Sequence, residues 1–255
     1  MWYKRIIDKK GREKIVMVTA YDYQTAKILD ECGIDLILVG DSLGMVFQGH
    51  KDTKNVRLEH MIYHTECVAR GVKNTPVLSD MPVNTHNTVD EAIKNAEKLI
   101  EAGAAGVLIE GYKPHVVREV VSVGIPVMSH LGILPQTEDV MRVKGRTPEE
   151  RKILVSNAME MEETGIFALA LELVVEDVAR EITDKLKIPT IGVGAGRYCD
   201  GQVLVINDLL GYDYDFSPKF LKRYADLRAV IKDAVIKFRD EVRRGLYPSE
   251  EYIYR

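Results

Sequence analysis

Long apolar runs, basic clusters and paired cysteines are all missing from this chain of 255 residues. The longest apolar stretches have only the length of a strand, so we expect no membrane-spanning helix, which needs about 20 such residues. Acids and bases are interspersed, with a formal net charge of −4. Because no basic stripe with interleaved aromatic residues is present, we expect no nucleic-acid partner.

The three cysteines, Cys32, Cys67 and Cys199, are odd in number and lack the spacing of a metal site. Such sparse, unpaired cysteine is typical of proteins from reducing compartments. Residues 1–5, Met-Trp-Tyr-Lys-Arg, lack the apolar core of a secretory signal peptide. We therefore expect a cytoplasmic protein.

Apolar segments of strand length alternate along the chain with amphipathic segments of helical length. Near-continuous apolar strands joined by helices indicate a parallel sheet that is buried on both faces. The predicted strands are Ile15–Thr19, Leu36–Gly40, Pro76–Ser79, Ala104–Ile109, Ile125–Ser129, Ile166–Leu171, Pro189–Val193 and Val203–Ile206.

Eight strands close a (β/α)8 barrel, and a length near 250 residues is typical of that α/β fold. The competing arrangement is an open, doubly wound sheet, which would gather its site at one switch point. No repeat, low-complexity segment or linker interrupts the chain, so we predict a single barrel domain over residues 1–255.

An additional long C-terminal helix is predicted beyond the last strand. Apolar residues between Phe220 and Val242 recur at helical spacing, and Gly245 follows as a helix stop. The apolar face is wider than a barrel's outer layer needs. Two interpretations stay open: a contact with a partner subunit, or an ordinary outer helix.

Five predicted strands are followed directly by an acid or a histidine: Asp41, Asp80, Glu110, His130 and Glu172. The carboxyl ends of the strands form the mouth of a (β/α)8 barrel, where enzymes with this fold keep their catalytic groups. A polar residue at five strand ends therefore predicts an active site around the whole mouth.

Three of these acids are expected on the inner face. Alternation along the strand groups Asp41 with Val39, and Asp80 and Glu110 with the residues two positions before them. Converging carboxylates suit a hard cation such as Mg²⁺, since they could not all be ionised at close range without one. For each acid alone, a helix N-cap or a solvated loop acid is an equally good interpretation.

Glu172 ends a very apolar segment, and partial desolvation would raise its pKa and suit a general base. The alternative is an ion pair with a loop Arg or Lys. His130 could orient substrate or shuttle a proton, and a structural histidine bonded to backbone is the competing interpretation.

A series of short motifs spans the chain from about Val18 to Tyr252. They include Val39–Gly44, Gln48–His50, Ser79–Pro82, His130–Gly132, Pro135-Gln136, Val143–Arg146 and Ile188–Gly196. Together these motifs resemble the ketopantoate hydroxymethyltransferase family, which belongs to the phosphoenolpyruvate/pyruvate-domain barrel superfamily.

The resemblance implies an Mg²⁺-dependent, aldol-type one-carbon transfer. The hydroxymethyl group would pass from 5,10-methylenetetrahydrofolate, or a related methylene-pterin, to 3-methyl-2-oxobutanoate. The product would be 2-dehydropantoate, on the route to pantothenate and coenzyme A. The family also implies a homo-oligomer.

The resemblance also assigns roles to residues of this chain. Asp41 and Asp80 bind the metal and through it the substrate, with Glu110 acting on the metal through water. Ser42 holds the carboxylate of the 2-oxo acid, and Glu172 is the base. His130 is assigned to substrate binding on its position at the mouth.

One departure from the family pattern concerns Leu108, which stands where the family usually has a lysine. Its side chain is predicted to point into the barrel, level with the metal site. Two further hypotheses therefore remain: an Mg²⁺-dependent lyase or decarboxylase of a 2-oxo acid on the same barrel, and a non-catalytic relative.

Overall fold

The eight strands form a closed parallel barrel in a computed structural model that describes residues 1–255. Each strand pairs with the next in sequence, and β8 pairs with β1 to complete the ring. The (β/α)8 prediction is therefore confirmed. The strands are β1 (Ile15–Thr19), β2 (Leu36–Val39), β3 (Val77–Asp80), β4 (Gly106–Glu110), β5 (Val127–Gly132), β6 (Ala168–Glu172), β7 (Thr190–Val193) and β8 (Gly201–Leu204).

Helices follow most of the strands, and three of the helices begin at a side-chain N-cap. Asp22, Thr88 and Thr147 each accept a hydrogen bond from the backbone N–H three residues later, which satisfies a donor that the helix leaves free. The helices are α1 (Trp2–Asp8), α2 (Tyr23–Glu31), α3 (Leu43–Val46), α4 (Leu58–Gly71), α5 (Val89–Glu101), α6 (Pro114–Ser122), α7 (Pro148–Glu162), α8 (Glu176–Lys185), α9 (Ile206–Leu210) and α10 (Leu227–Arg243).

The strands run further towards the mouth than predicted. Asp80, Glu110 and Glu172 are the last residues of their strands, and His130 lies inside β5. The parallel ladder continues through them, for example from Glu110 to His130. These side chains are therefore held by regular strand backbone and not by flexible loops.

Alternate residues of the strands fill the inside of the barrel with apolar side chains. In β2 these are Leu36 and Leu38, which join a buried cluster with Leu78 and Leu108. Val39 therefore faces outward, and the alternation argument that grouped it with Asp41 was wrong. Asp41 lies beyond the end of β2, in the turn before α3, and the turn carries its side chain to the site.

The amino end of the barrel is closed by α1, which was not predicted. Its Ile6 is buried in the interior cluster. The ring of Trp2 packs edge-on against Phe167, with ring centroids 5.1 Å apart. An apolar plug thus seals the end of the barrel opposite the mouth.

The chain gathers into two compact units, residues 1–205 and 206–255. The single domain over residues 1–255 stays a prediction. In the second unit α10 begins at Leu227, so the helix predicted from Phe220 was too long at its start, where Asp226 caps it. Gly245 follows the helix with φ +68°, as predicted for a stop.

None of the residues of α10 is buried. Val235 and Phe238, from its apolar face, are 59% and 54% exposed. No helix in the structure combines the length and the apolar character needed to cross a membrane.

Candidate active site at the mouth of the barrel

The structure brings all five predicted polar residues together at the carboxyl ends of the strands. Asp41 contacts Asp80, His130 lies against Glu110, and Glu172 lies on the other side of His130. Four of them are buried, and the side chain of Glu172 is 24% exposed. The cluster is therefore open to small molecules at Glu172.

Asp41 and Asp80 are joined by a backbone hydrogen bond. The N–H of Asp41 donates to Oδ2 of Asp80 at 2.8 Å. Gly40 leaves room for the hydroxyl of Ser42 beside this pair, since a Cβ there would lie 2.8 Å from Oγ of Ser42, whereas its 3.5 Å distance to Oδ2 of Asp80 would be an ordinary contact. Oδ1 of Asp80 is buried without a hydrogen-bond partner. A buried, unpartnered carboxylate oxygen is costly alone and suits a cation ligand.

Burial raises the pKa of the three predicted metal carboxylates, although the nearby His130 opposes the shift. Desolvation raises the pKa of Asp41 to about 6 and the pKa of Glu110 to about 8. Desolvation, with the charge of Asp41 next, raises the pKa of Asp80 well above its ordinary value. A bound divalent cation would reverse this pattern, because it favours the ionised form of each acid.

His130 stands between two carboxylates. Its Nδ1 is 3.6 Å from Oε2 of Glu110, and its Nε2 is 3.3 Å from Oε2 of Glu172. Burial alone would lower its pKa, but Glu172, Glu110 and Asp80 outweigh burial and raise the pKa to about 9. The imidazolium is thus a positive charge inside an acidic cluster, and its ring contacts are carboxylates.

Ser42 lies at the start of α3, next to Asp41. Its Oγ is 2.8 Å from the hydroxyl of Tyr21, a buried side chain that follows β1. This contact fixes the serine hydroxyl beside the Asp41–Asp80 pair. Tyr21 had no predicted role.

Gln136 is the site residue that sequence reasoning missed. It lies in the loop after β5 and contacts both Asp41 and Glu110. The only signal was its place in the Pro135-Gln136 motif, which by itself indicates no chemistry.

Leu108 lies inside the barrel, as predicted. It is 6% exposed and is the register partner of Asp80 in the strand ladder. A lysine at this position would reach the acidic cluster. Lys144, in the loop after β5, is paired with Glu138 at 2.8 Å. The cation nearest to the acids is therefore His130.

The donor set fits a cation with few protein ligands. No group of three or more His, Cys, Asp or Glu side chains is arranged to hold a metal ion. Two aspartates with an open oxygen match Mg²⁺, which keeps several waters and binds through one or two carboxylates and its substrate.

This protein is a closed parallel barrel that gathers acids and a histidine at the carboxyl ends of its strands. That is the architecture of the (β/α)8 barrel enzymes. The sequence profile described as ketopantoate hydroxymethyltransferase matches residues 2–250. The chain belongs to this family, whose members transfer a one-carbon unit.

Proteins from several organisms, each named 3-methyl-2-oxobutanoate hydroxymethyltransferase, are similar along almost the whole chain. The protein of Caldicellulosiruptor saccharolyticus is 47% identical, covering 98% of this chain and 98% of its own. That of Thermotoga maritima is 49% identical, covering 96% and 93%. That of Pyrococcus abyssi is 48% identical, covering 98% and 91%.

Solved structures of more distant proteins share the fold. Phosphoenolpyruvate phosphomutase from Streptomyces platensis has a TM-score of 0.65 at 14% identity, covering 100% of this chain and 91% of its own. A 2,3-dimethylmalate lyase of the PEP mutase/isocitrate lyase superfamily has a TM-score of 0.63 at 15% identity, covering 99% and 92%.

Proposed function

We propose that this enzyme transfers a hydroxymethyl group from 5,10-methylenetetrahydrofolate, or a related methylene-pterin, to 3-methyl-2-oxobutanoate. The product is 2-dehydropantoate, an intermediate of pantothenate biosynthesis, and the reaction depends on Mg²⁺. The observation that carries the proposal is the Asp41–Asp80 pair with its buried, unpartnered oxygen, placed in a chain of this family.

Asp41 and Asp80 would hold Mg²⁺, and Glu110 would act on the cation through water. When bound, the cation polarises the keto group of the 2-oxo acid and favours its enolate. Ser42, oriented by Tyr21, donates a hydrogen bond to the substrate carboxylate. Held at its carboxylate and keto group, the substrate presents its C3 to the base.

Glu172 takes the proton from C3 of 3-methyl-2-oxobutanoate. It suits this role because it is the most exposed acid of the cluster, whereas Glu110 is 6% exposed. The imidazolium of His130, 3.3 Å away, orients the Glu172 carboxylate. Water releases the one-carbon unit from the two pterin nitrogens at the oxidation level of formaldehyde, which leaves the tetrahydropterin. C3 of the enolate then bonds to that carbon, and the carbonyl oxygen of the one-carbon unit takes the proton held by Glu172 to become the hydroxyl of the hydroxymethyl group.

Product analysis tests the proposal. The enzyme is incubated with 3-methyl-2-oxobutanoate, with and without Mg²⁺ and with and without the methylene-pterin, and the products are identified by mass spectrometry. Formation of 2-dehydropantoate only in the presence of both Mg²⁺ and pterin is expected. Cleavage or decarboxylation without pterin would instead establish a lyase. No turnover under any condition would indicate a non-catalytic relative.

We also propose a cytoplasmic homo-oligomer in which α10 contributes to subunit contacts. The apolar side chains of α10, Val235 and Phe238 among them, are left uncovered within one chain. Burying them against a partner would remove apolar surface from water. Light scattering at micromolar concentration tests this point, and a monomer would contradict it.

A further inference from the structure

The amide of Gln136 sits between the acids that are proposed to surround the cation. The residue is 5% exposed. Its Nε2 donates to Oδ2 of Asp41 at 2.9 Å and to the carbonyl of Met81 at 3.0 Å. Its backbone N–H donates to Oε1 of Glu110 at 3.0 Å. One residue thus supplies three donors to the floor of the site.

These bonds fix one oxygen of each acid. Oδ2 of Asp41 is held by Gln136, and Oδ2 of Asp80 is held by the N–H of Asp41. The second oxygen of Asp80 stays without a partner. An apolar side chain in place of Gln136 would leave the Asp41 carboxylate without this donor, which is costly for a buried charged group.

We propose that Gln136 is a positioning residue that orients Asp41 for the cation before the cation arrives. It sets the affinity for Mg²⁺ and not the rate of enolisation, because a bound cation holds Asp41 by itself. Outer contacts of this kind commonly change metal affinity by about 10–100-fold. The inference rests on the proposed function for the identity of the cation.

The test compares Gln136→Met with Gln202→Met. Gln202 is exposed on β8 and donates to the carbonyl of Gly196, so the control loses an amide hydrogen bond outside the site. Calorimetric titration of metal-free protein with Mg²⁺, without any 2-oxo acid, should show an affinity about 10–100-fold weaker for Gln136→Met. Gln202→Met should bind Mg²⁺ like the wild type.

A second readout separates positioning from general damage. At saturating Mg²⁺ in D₂O, Gln136→Met should exchange the C3 proton of 3-methyl-2-oxobutanoate at close to the wild-type rate. A folded Gln136→Met with wild-type Mg²⁺ affinity would overturn the inference. So would an exchange rate at saturating Mg²⁺ that falls as far as the affinity.

If Gln136→Met does not fold, Gln136→Asn replaces it, because its amide is one methylene too short to reach Asp41. The same weakening is expected, and unchanged affinity overturns the inference. Wild-type protein that binds Mg²⁺ while the variants bind it equally well refutes the role of Gln136 alone. Wild-type protein that binds no Mg²⁺ refutes the proposed cation together with this inference.

Discussion

The two ends of the barrel use the same eight strands for opposite purposes. At the amino end, Ile6, Trp2 and Phe167 form an apolar plug. At the mouth, the strands end in Asp80, Glu110 and their neighbours, which are buried although they are ionisable. Apolar burial stabilises the fold by about 25 cal/mol per Å². Burial of like charges opposes folding until a cation or substrate arrives. Stability and chemistry are therefore separated along the barrel axis, as is general for this fold.

The largest effect is expected from removing a charge at the mouth. Asp80→Asn and Asp41→Asn should each abolish Mg²⁺ binding and turnover, because each removes one of two proposed ligands. Thermal denaturation should show a fold at least as stable as the wild type, since a buried acid that is costly to ionise is replaced by a neutral amide of the same shape. The exposed Asp90, changed to Asn, is the control and should alter neither property. Variants that keep Mg²⁺ affinity and turnover would remove these residues from the metal site.

Glu172→Gln tests the base. In D₂O with Mg²⁺ and 3-methyl-2-oxobutanoate, the C3 proton should exchange about 10²–10⁴-fold more slowly than in the wild type, the usual contribution of general-base catalysis. Proton NMR of the substrate measures this exchange without any pterin. Equal rates in the two proteins would move the base elsewhere, with His130 the next residue to change.

Phe167→Ala at the amino end should lower the stability of the fold and leave turnover unchanged, the reverse of the effect expected from changes at the mouth. Phe167 is 3% exposed, and loss of such a ring typically costs about 3–5 kcal/mol of unfolding free energy. Denaturant titration measures this loss. The turnover of the molecules that remain folded should not change, because the ring lies outside the site. A selective loss of turnover would show that the two ends are coupled.

Leu108→Lys brings a cation to the mouth from inside the barrel. A preorganised charge beside a developing enolate can contribute several kcal/mol to transition-state stabilisation. Because His130 already supplies one positive charge, we expect a gain in turnover of about tenfold over a slow wild type. The gain would be measured as 2-dehydropantoate formed per minute in protein that remains folded. A slower variant would show that another group has replaced the lysine.

The smallest effect is a pH dependence of the metal-free fold. The folded-state pKa of Glu110, about 8, is above its ordinary 4.5, and that of His130, about 9, is above 6.5. Both groups therefore bind protons more tightly in the folded state, so their contribution to stability falls as pH rises from 6.5 to 8. Thermal denaturation with a chelator should show this fall. Phe167→Ala should keep the slope, and a flat profile would contradict the assignment.

Local signals explain what was predictable from the sequence. The acids and the histidine at the strand ends follow apolar segments that are visible in one stretch of chain. Gln136 was missed because it meets Asp41 across 95 positions of sequence, a contact that only the closed barrel creates.

The predicted direction of the Asp41 side chain was wrong, and α1 was not predicted, for related reasons. Alternation was extended past the end of β2 into a turn, where it no longer determines side-chain direction. The helix α1 has seven residues and depends on contacts with Phe167, far along the chain, for its place. Isolated helices of that length are marginal without such packing.

The protons carried by the acids of the cluster affect how the enzyme would take up a divalent cation. Glu110 and Asp41, with pKa values of about 8 and about 6, carry protons over part of the neutral range when no cation is present. A divalent ion needs these carboxylates ionised, so its uptake must expel protons into the buffer. The mouth of the barrel in this sense exchanges protons for a metal cation. Alkaline conditions remove the protons and therefore favour the metal.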